Sequence, residues 1–206
     1  MKVRIAIVED TSEVMKNLKL NLSLSPQLDI LFTSTNGTDF VSKCKKLKKE
    51  NLPEIVLMDI DMPVMNGLEA IKEIRLFNAD MQFLMYTVFD DDNKIFEAIK
   101  LGASGYLLKE ESIQKIEESI IEMKEFGAVP MSPSVARKAL KLLSMGTHEP
   151  ASEQAHDDEN LNSLTSREVH ILKLLILGKR YKEIADQTNI SINTVRNHVA
   201  AVYKKL

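Results

Sequence analysis

Apolar side chains recur along this chain with two different periods, and the points where one period replaces the other divide it into elements. Short runs rich in β-branched residues at Val3 to Val8, Asp29 to Thr33, Ile55 to Met58, Phe83 to Tyr86 and Gly105 to Leu108 predict five strands. Between them the spacing is helical, as at Val14, Leu18 and Leu22, at Phe40, Cys44 and Leu47, and at Leu68, Ile71 and Ile74. After the last strand Ile113, Ile116, Ile120 and Met123 share one face of a fifth helix, and Gly127 is placed to end it. Five βα repeats over residues 1–126 predict an α/β domain with an open parallel sheet covered by helices on both faces.

Beyond residue 126 the rhythm breaks. Pro130 and Pro133 precede a short helical pattern near 134–145, carried by Val135, Ala139, Leu142 and Leu143. The run GTHEPASEQAHDDEN that follows has almost no large apolar side chain, so residues 127–160 read as a linker. From Leu164 helical spacing returns without strands, at Val169, Leu172 and Ile176, then Ile184 and Ala185, then Val195, Val199 and Val202. Three helices make a small all-α domain over residues 161–206, with Ser166 and Ser191 placed as N-caps and Gly178 as a helix end.

Composition changes this picture in two ways. The formal net charge of −3 hides an asymmetry: residues 1–160 hold 19 Lys and Arg against 27 Asp and Glu, whereas residues 161–206 hold 8 against 3. A basic C-terminal piece suits nucleic acid, although solvated basic faces are common. No run approaches the ~18 consecutive apolar residues of a membrane span and the N-terminus reads as a strand, so a cytoplasmic protein without a membrane partner is expected. The single cysteine, Cys44, sits among core positions and cannot form an internal disulfide.

The candidate chemistry lies at the carboxyl ends of the predicted strands. Glu9 and Asp10 follow the first, Asp59 the third, Thr87 the fourth and Lys109 the fifth. With the flavodoxin-like strand order 2-1-3-4-5 these ends form the ligand crevice, and the three carboxylates converge. Like charges so close need a divalent cation or a lysine, and oxygen donors of this kind suit Mg²⁺. Asp59 heads the loop Asp59-Ile60-Asp61-Met62-Pro63 and is the best placed nucleophile toward phosphorus, with Lys109 and the Thr87 hydroxyl toward phosphoryl oxygens. Pro63, Asn66 and Gly67 would bend the chain away and keep Asp59 exposed. Each residue alone could be loop decoration; five suitable types at five matching ends favour a phosphoryl-transfer site.

The segments IVED at 7–10, DIDMPVMNG at 59–67, TV at 87–88 and KLGASGYLLK at 100–109 resemble the receiver domain of two-component response regulators. The resemblance implies that Asp59 is the phosphoacceptor. It implies further that Asp10, Asp59 and the backbone carbonyl of Asp61 bind Mg²⁺, with Glu9 acting through water, and that Thr87 and Lys109 engage the phosphoryl group. Tyr106 matches the family's aromatic switch, which turns inward as the threonine moves, although an aromatic in a strand also packs against neighbours without switching.

The C-terminal stretches LTSREVHILKLLILG and YKEIADQTNISINTVRNHV resemble the LuxR-type helix-turn-helix of the NarL/FixJ subfamily. In such a motif the second helix of the pair enters the major groove of double-stranded DNA. Asn193, Thr194, Arg196, Asn197 and Ala200 are then the recognition candidates. Asn197 suits adenine, Arg196 guanine or phosphate, and Ala200 a thymine methyl, with Lys182, Thr194, Lys204 and Lys205 on phosphates. The same positions equally form the solvated face opposite Val195, Val199 and Val202. One more helix after Lys205 and Leu206 is implied by the resemblance and is not among these 206 residues.

Together the two resemblances imply a transcriptional regulator that accepts phosphate from a sensor histidine kinase with Mg²⁺, dimerises when phosphorylated, and catalyses only its own phosphorylation and dephosphorylation. Two other readings compete. In a haloacid-dehalogenase-like phosphatase Asp59 would be the nucleophile and Asp61 the general acid; in a phosphorylation-independent DNA-binding protein the receiver would be idle.

Overall fold

A computed structural model describes residues 2–88, 91–145, 165–176 and 181–191, with 194, 195, 198 and 201. Its five strands are β1 (Val3–Val8), β2 (Leu28–Ser34), β3 (Ile55–Met58), β4 (Gln82–Thr87) and β5 (Gly105–Leu108), all parallel, in the order β2-β1-β3-β4-β5. The connecting helices are α1 (Ser12–Leu22), α2 (Gly37–Lys46), α3 (Gly67–Arg75), α4 (Asp92–Lys100) and α5 (Ile113–Phe126). The flavodoxin-like α/β architecture and strand order expected from the pattern are those found.

The period of two along each strand sorts side chains into two cores. Ala6, Val8, Val56, Met58, Phe83 and Met85 point to the face covered by α2, α3 and α4, against Phe40, Cys44, Ile71, Ile74, Ile95 and Ala98. Ile5, Ile7, Ile55, Leu57, Leu84 and Tyr86 point to the opposite face, against Leu18 and Leu22 of α1 and Ile116, Ile120 and Met123 of α5. Strands buried on both faces must be apolar at every position, which is why β3 reads as Ile-Val-Leu-Met. Burial pushes the Cys44 thiol up to about 12, so it is a core side chain. Leu47 departs from its expected place on the helix: the chain leaves α2 after Lys46, Leu47 is the extended C-cap, and its side chain is 37% exposed.

Gly127 ends α5 in the left-handed conformation (φ 60°) that glycine adopts without steric cost. The chain then returns along the open edge of β5. Tyr106 N donates to Pro130 O at 2.8 Å, and Ser132 N donates to Tyr106 O at 3.0 Å. The Ser132 hydroxyl accepts from Leu108 N at 3.0 Å and donates to Glu111 Oε1 at 2.6 Å. The helix that follows, α6 (Pro133–Met145), lays Val135 and Ala139 into the α4 side of the core, and Lys138 pairs with Asp92 at 3.7 Å. Residues 130–139 thus pack against the sheet domain, where Val135 and Ala139 leave water.

Arg75, at the end of α3, ties three elements. It donates to the carbonyls of Ala79 (2.8 Å), Met81 (2.7 Å), Leu101 (3.4 Å) and Gly102 (2.7 Å), and its guanidinium lies 5.0 Å above the Phe83 ring. A lysine ammonium has neither the planar fork nor the reach to serve four acceptors. Arg75→Lys is therefore expected to lower stability by about 2–4 kcal/mol, from hydrogen bonds of a charged donor lost to four carbonyls, those of Met81 and Leu101 partly buried. Urea unfolding is the measurement; a change within experimental error would mean that water replaces the fork.

In the C-terminal part, α7 (Ser166–Ile176) and α8 (Tyr181–Thr188) bury Ile171, Leu174, Ile184 and Ala185 with Val195 and Ile190. The N-cap of α7 is Thr165 rather than Ser166. Glu168 N donates to Thr165 Oγ1 at 3.3 Å and Thr165 N to Glu168 Oε2 at 2.7 Å, a reciprocal capping box that only a residue three before Glu168 can make. α8 ends with Asn189 in the left-handed region (φ 53°) and Ile190 N bonded back to Ala185 O at 3.2 Å, a Schellman-type stop. Ser191 then caps the next helical turn through Thr194 N at 3.1 Å. Gly178 lies outside the described residues. No helix among the described residues is long and apolar enough to cross a membrane.

Candidate functional site

Parallel register sets the carboxyl ends of the central strands level. Val8 pairs with Met58, Met58 with Met85, and Thr87 with Leu108. The ladder continues one residue further, with Asp59 N donating to Val8 O at 2.9 Å and Lys109 N to Thr87 O at 2.9 Å. Side chains of residues just past the strands therefore meet at one edge, as the strand-end rule for such sheets requires.

Lys109 Nζ lies 2.7 Å from Glu9 Oε2 and 2.7 Å from Asp59 Oδ2. Thr11 N donates to Glu9 Oε1 at 3.1 Å, and Ile60 N donates to Asp59 Oδ1 at 2.7 Å. Asp10 is exposed, and one oxygen each from Glu9, Asp10 and Asp59 lie within 4.8 Å of one another. Asp59 is only 6% exposed, which corrects the expectation that its loop holds it out in solvent. One carboxylate oxygen accepts from the peptide N–H of Ile60 and the other faces Lys109. Thr87 is the last residue of β4 and wholly buried beside this edge, and Tyr106 is 1% exposed within the α4-side core.

The electrostatics follow from this packing. Burial raises the Glu9 pKa above the usual carboxylate range, with the Asp59 charge adding to the rise and the Lys109 hydrogen bond opposing it. For Lys109 burial works to lower the pKa, but the hydrogen bonds to Asp59 and Glu9 together outweigh it and hold the ammonium above its ordinary value. Three carboxylates against one ammonium leave an acidic set of hard oxygen donors, open to water on the Asp10 side. Trans oxygens around an octahedral Mg²⁺ lie up to about 4.2 Å apart, so the 4.8 Å cluster needs only slight contraction to hold that ion. The residues present fit a divalent cation.

The loop between β3 and α3 is held by close backbone contact. Gly67 N donates to Ile60 O at 2.8 Å, and a Cβ on Gly67 would lie 2.1 Å from the Asp59 carbonyl oxygen. Asn66 caps α3 in a capping box with Glu69. Val64 has φ 71° and sits between Pro63 O and Met65 N, which are bonded at 2.9 Å in a γ-turn, an uncommon strained conformation for a β-branched residue. The Asp61 carboxylate turns to Lys94 in the first turn of α4. It is thus directed to α4 and takes no part in the Lys109 bridge between Glu9 and Asp59.

Among the expected DNA-contacting residues, Thr194 has its hydroxyl 2.8 Å from that of Ser191, within the cap of its helix. Lys182 is on α8, where the backbone is described and the side chain is not; Asn193, Arg196, Asn197, Ala200, Lys204 and Lys205 lie outside the described residues. The pattern along the chain missed two residues. Lys94 was hidden in a polar run, and Ser132 looked like linker; neither has a local periodicity or spacing that marks its partner.

Comparison with known proteins agrees with this geometry. Residues 5–121 match the response regulator receiver domain, and residues 162–206 match the bacterial regulatory proteins of the luxR family. The chain is 35% identical over 204 residues to the transcriptional regulatory protein LnrK of Bacillus subtilis (strain 168), covering 99% of this chain and 90% of LnrK. It is 31% identical over 207 residues to LiaR of the same organism, with the same coverage. Its fold resembles that of RcsB from Salmonella enterica serovar Typhimurium, solved bound to promoter rprA with phosphomimetic BeF3⁻. The TM-score is 0.57, with 18% identity over 100% of this chain and 92% of that one. With a receiver match over more than half its length and a full-length relative at 35% identity, this chain belongs to the response regulators of the NarL/FixJ type.

Proposed function

We propose that the chain is a phosphorylation-controlled, DNA-binding transcription regulator in which Asp59 accepts the phosphoryl group. The observation that carries this reading is the single ammonium of Lys109 held at 2.7 Å from both Glu9 and Asp59 at the edge of the sheet. That arrangement gives the Asp59 carboxylate a counter-charge although two further carboxylates crowd it, and an Asp59 oxygen is the nucleophile. An Asp59 oxygen attacks phosphorus, the bond from phosphorus to the leaving group of the donor breaks, and the leaving group departs with its electron pair. Lys109 then exchanges its contact with the Asp59 carboxylate for one with a phosphoryl oxygen, and the Thr87 hydroxyl donates to another. Glu9, Asp10, Asp59 and the Asp61 carbonyl would hold Mg²⁺, which supplies charge neutralisation of the transferring group.

The donor is a sensor histidine kinase or a small acyl phosphate, and the setting is the cytoplasm. The protein's only catalysis is on its own aspartate. Tyr106 links the site to the rest of the chain, since its backbone carries Pro130 and Ser132 and its ring packs near Val135 and Ala139. A movement of Thr87 and Tyr106 on phosphorylation would therefore be felt by α6, biasing two arrangements of the protein as a differential ligand does. The phosphorylated form is expected to dimerise and to bind double-stranded DNA, with Asn193, Thr194, Arg196, Asn197 and Ala200 toward the bases and Lys182, Lys204 and Lys205 on phosphates.

The test is intact-mass analysis of wild type and Asp59→Asn after incubation with acetyl phosphate and Mg²⁺. A gain of one phosphoryl group, roughly 80 Da, in the wild type alone is expected. Equal gain in both proteins would move the acceptor elsewhere, and no gain in either would remove small-donor phosphorylation from the reading.

A further inference from the structure

Lys94 is a cation where its own helix does not favour one. It is the third residue of α4, whose N-cap Asp91 accepts from Asn93 N at 3.0 Å and Lys94 N at 3.2 Å. The first turn carries the positive end of the helix dipole, which disfavours an ammonium. What holds it is Asp61, 33 residues away on the loop that carries Asp59. The pair is partly exposed, with side-chain exposures of 32% and 42%, and joins the loop after Asp59 to the first turn of α4.

From this we infer that Lys94 is a positioning residue that sets the charge balance of the phosphorylation site. Glu9, Asp10, Asp59 and Asp61 bring four negative charges; Lys109 and Lys94 bring two positive ones. The remainder is matched by one divalent cation. Without Lys94 the site carries one uncompensated charge more, and the Asp61 carboxylate, no longer held toward α4, is free to turn to the acidic cluster. Both changes act in the same direction. They strengthen attraction for a cation and repel the dianionic phosphodonor. Lys94 pairs with the Asp61 carboxylate, and it is through that carboxylate that it acts on the cluster. The inference rests on the reading of Asp59 as phosphoacceptor with a bound divalent cation.

The experiment compares wild type, Lys94→Gln, Lys94→Arg, Asp61→Asn and the Lys94→Gln/Asp61→Asn double variant, full length. Mg²⁺ binding to the unphosphorylated proteins is measured by calorimetry, and phosphorylation by acetyl phosphate at saturating Mg²⁺ by intact mass. Lys94→Gln is expected to bind Mg²⁺ roughly three- to tenfold more tightly, as one extra partly screened charge near the ion implies, and to take phosphate several-fold more slowly. Lys94→Arg, which keeps the charge and can still pair with Asp61, should restore both values to within about twofold. In the Asp61→Asn background the Lys94→Gln change should lose the part of its effect that comes from freeing the Asp61 carboxylate and keep only the smaller direct effect of one charge. A Mg²⁺ affinity unchanged in Lys94→Gln, or a shift of equal size with and without Asp61, would overturn the inference. If wild type bound Mg²⁺ but never gained phosphate, the phosphoacceptor reading would fail, while the affinity cycle would still decide the role of Lys94.

Discussion

Lys109→Met should lower stability by about 3–5 kcal/mol near pH 8 in the presence of a chelator, and should abolish phosphorylation of Asp59 under conditions where the wild type is fully modified. The size follows from burial: the ammonium is 13% exposed and sits between Glu9 and Asp59 side chains that are 1% and 7% exposed. Methionine fills a similar volume but leaves two buried carboxylates without their shared counter-charge. The loss should depend on pH with a definite sign. Glu9 already has a raised pKa in the folded protein, so its ionisation disfavours folding at pH above that value, and the penalty is relieved as pH falls through it toward the unfolded value. Removing Lys109 removes an influence that lowers the Glu9 pKa, so in the variant the relief begins at higher pH. Lys109 itself, with its pKa raised, stabilises the wild type fully below its unfolded value and loses that contribution only as pH rises through the folded one. The deficit of the variant should therefore be larger at a mildly alkaline pH, where Glu9 is ionised and Lys109 would be charged, than at a mildly acidic pH, where Glu9 takes up its proton. Urea unfolding of both proteins at the two pH values measures it. A deficit of the same size at both would show that packing, not charge, is what the lysine supplies.

Gly67→Ala is expected to be the second severe change, at about 3 kcal/mol, with slowed phosphorylation. Two effects oppose one another at this position. Gly67 is the first residue of α3, where alanine would be a better helix former by up to about 1 kcal/mol. Against that, the new Cβ would lie 2.1 Å from the Asp59 carbonyl oxygen, 3.0 Å from Met58 Cγ and 3.1 Å from the Asp59 carbonyl carbon. The obstacle is backbone of the very residue proposed to be phosphorylated, so it can yield only by moving Asp59 relative to Lys109. The clash outweighs the propensity. Gly127→Ala is the control, since a Cβ there meets nothing within 4 Å and only the left-handed backbone is strained, at a cost of about 1 kcal/mol. Thermal melts and the acetyl phosphate reaction distinguish the two; a Gly67→Ala protein as stable as the wild type would show that the loop steps aside freely.

Some of this was legible along the chain and some was not. The strands Ile55–Met58 and Gly105–Leu108 have the bounds read from their apolar runs, because a strand buried on both faces has no polar position to blur its ends. Leu47 failed because helical spacing continues past the point where the backbone turns: periodicity records which side chains could share a face, not where the helix stops. Ser166 failed as a cap for a related reason. Thr165 and Ser166 are adjacent hydroxyl residues, and the choice between them rests on the Glu168 side chain reaching back to Thr165 N. Asp59 was expected to be exposed because turn-forming residues follow it, yet the turn they make packs Gly67 onto its backbone and covers it.

What the sequence determines by itself are the properties that depend on a few consecutive residues: the two hydrophobic periods, the glycine at the end of α5, the serine cap at Ser191, and the placing of carboxylates and a lysine at strand ends. Those strand-end positions sufficed to nominate Glu9, Asp10, Asp59 and Lys109 as one site, because parallel strands in this order have all their carboxyl ends at one edge. Only the tertiary structure decides which of these groups touch. The Lys109 ammonium bridges Glu9 and Asp59, residues 100 and 50 positions earlier in the chain, once the register of β1, β3 and β5 is set. The pairing of Lys94 with Asp61 and the bond of Ser132 to Glu111 arise in the same way, from elements brought together by the burial of the two apolar faces of the sheet. A charge finds its partner by distance in space, and that distance is a consequence of the packed core rather than of any local pattern.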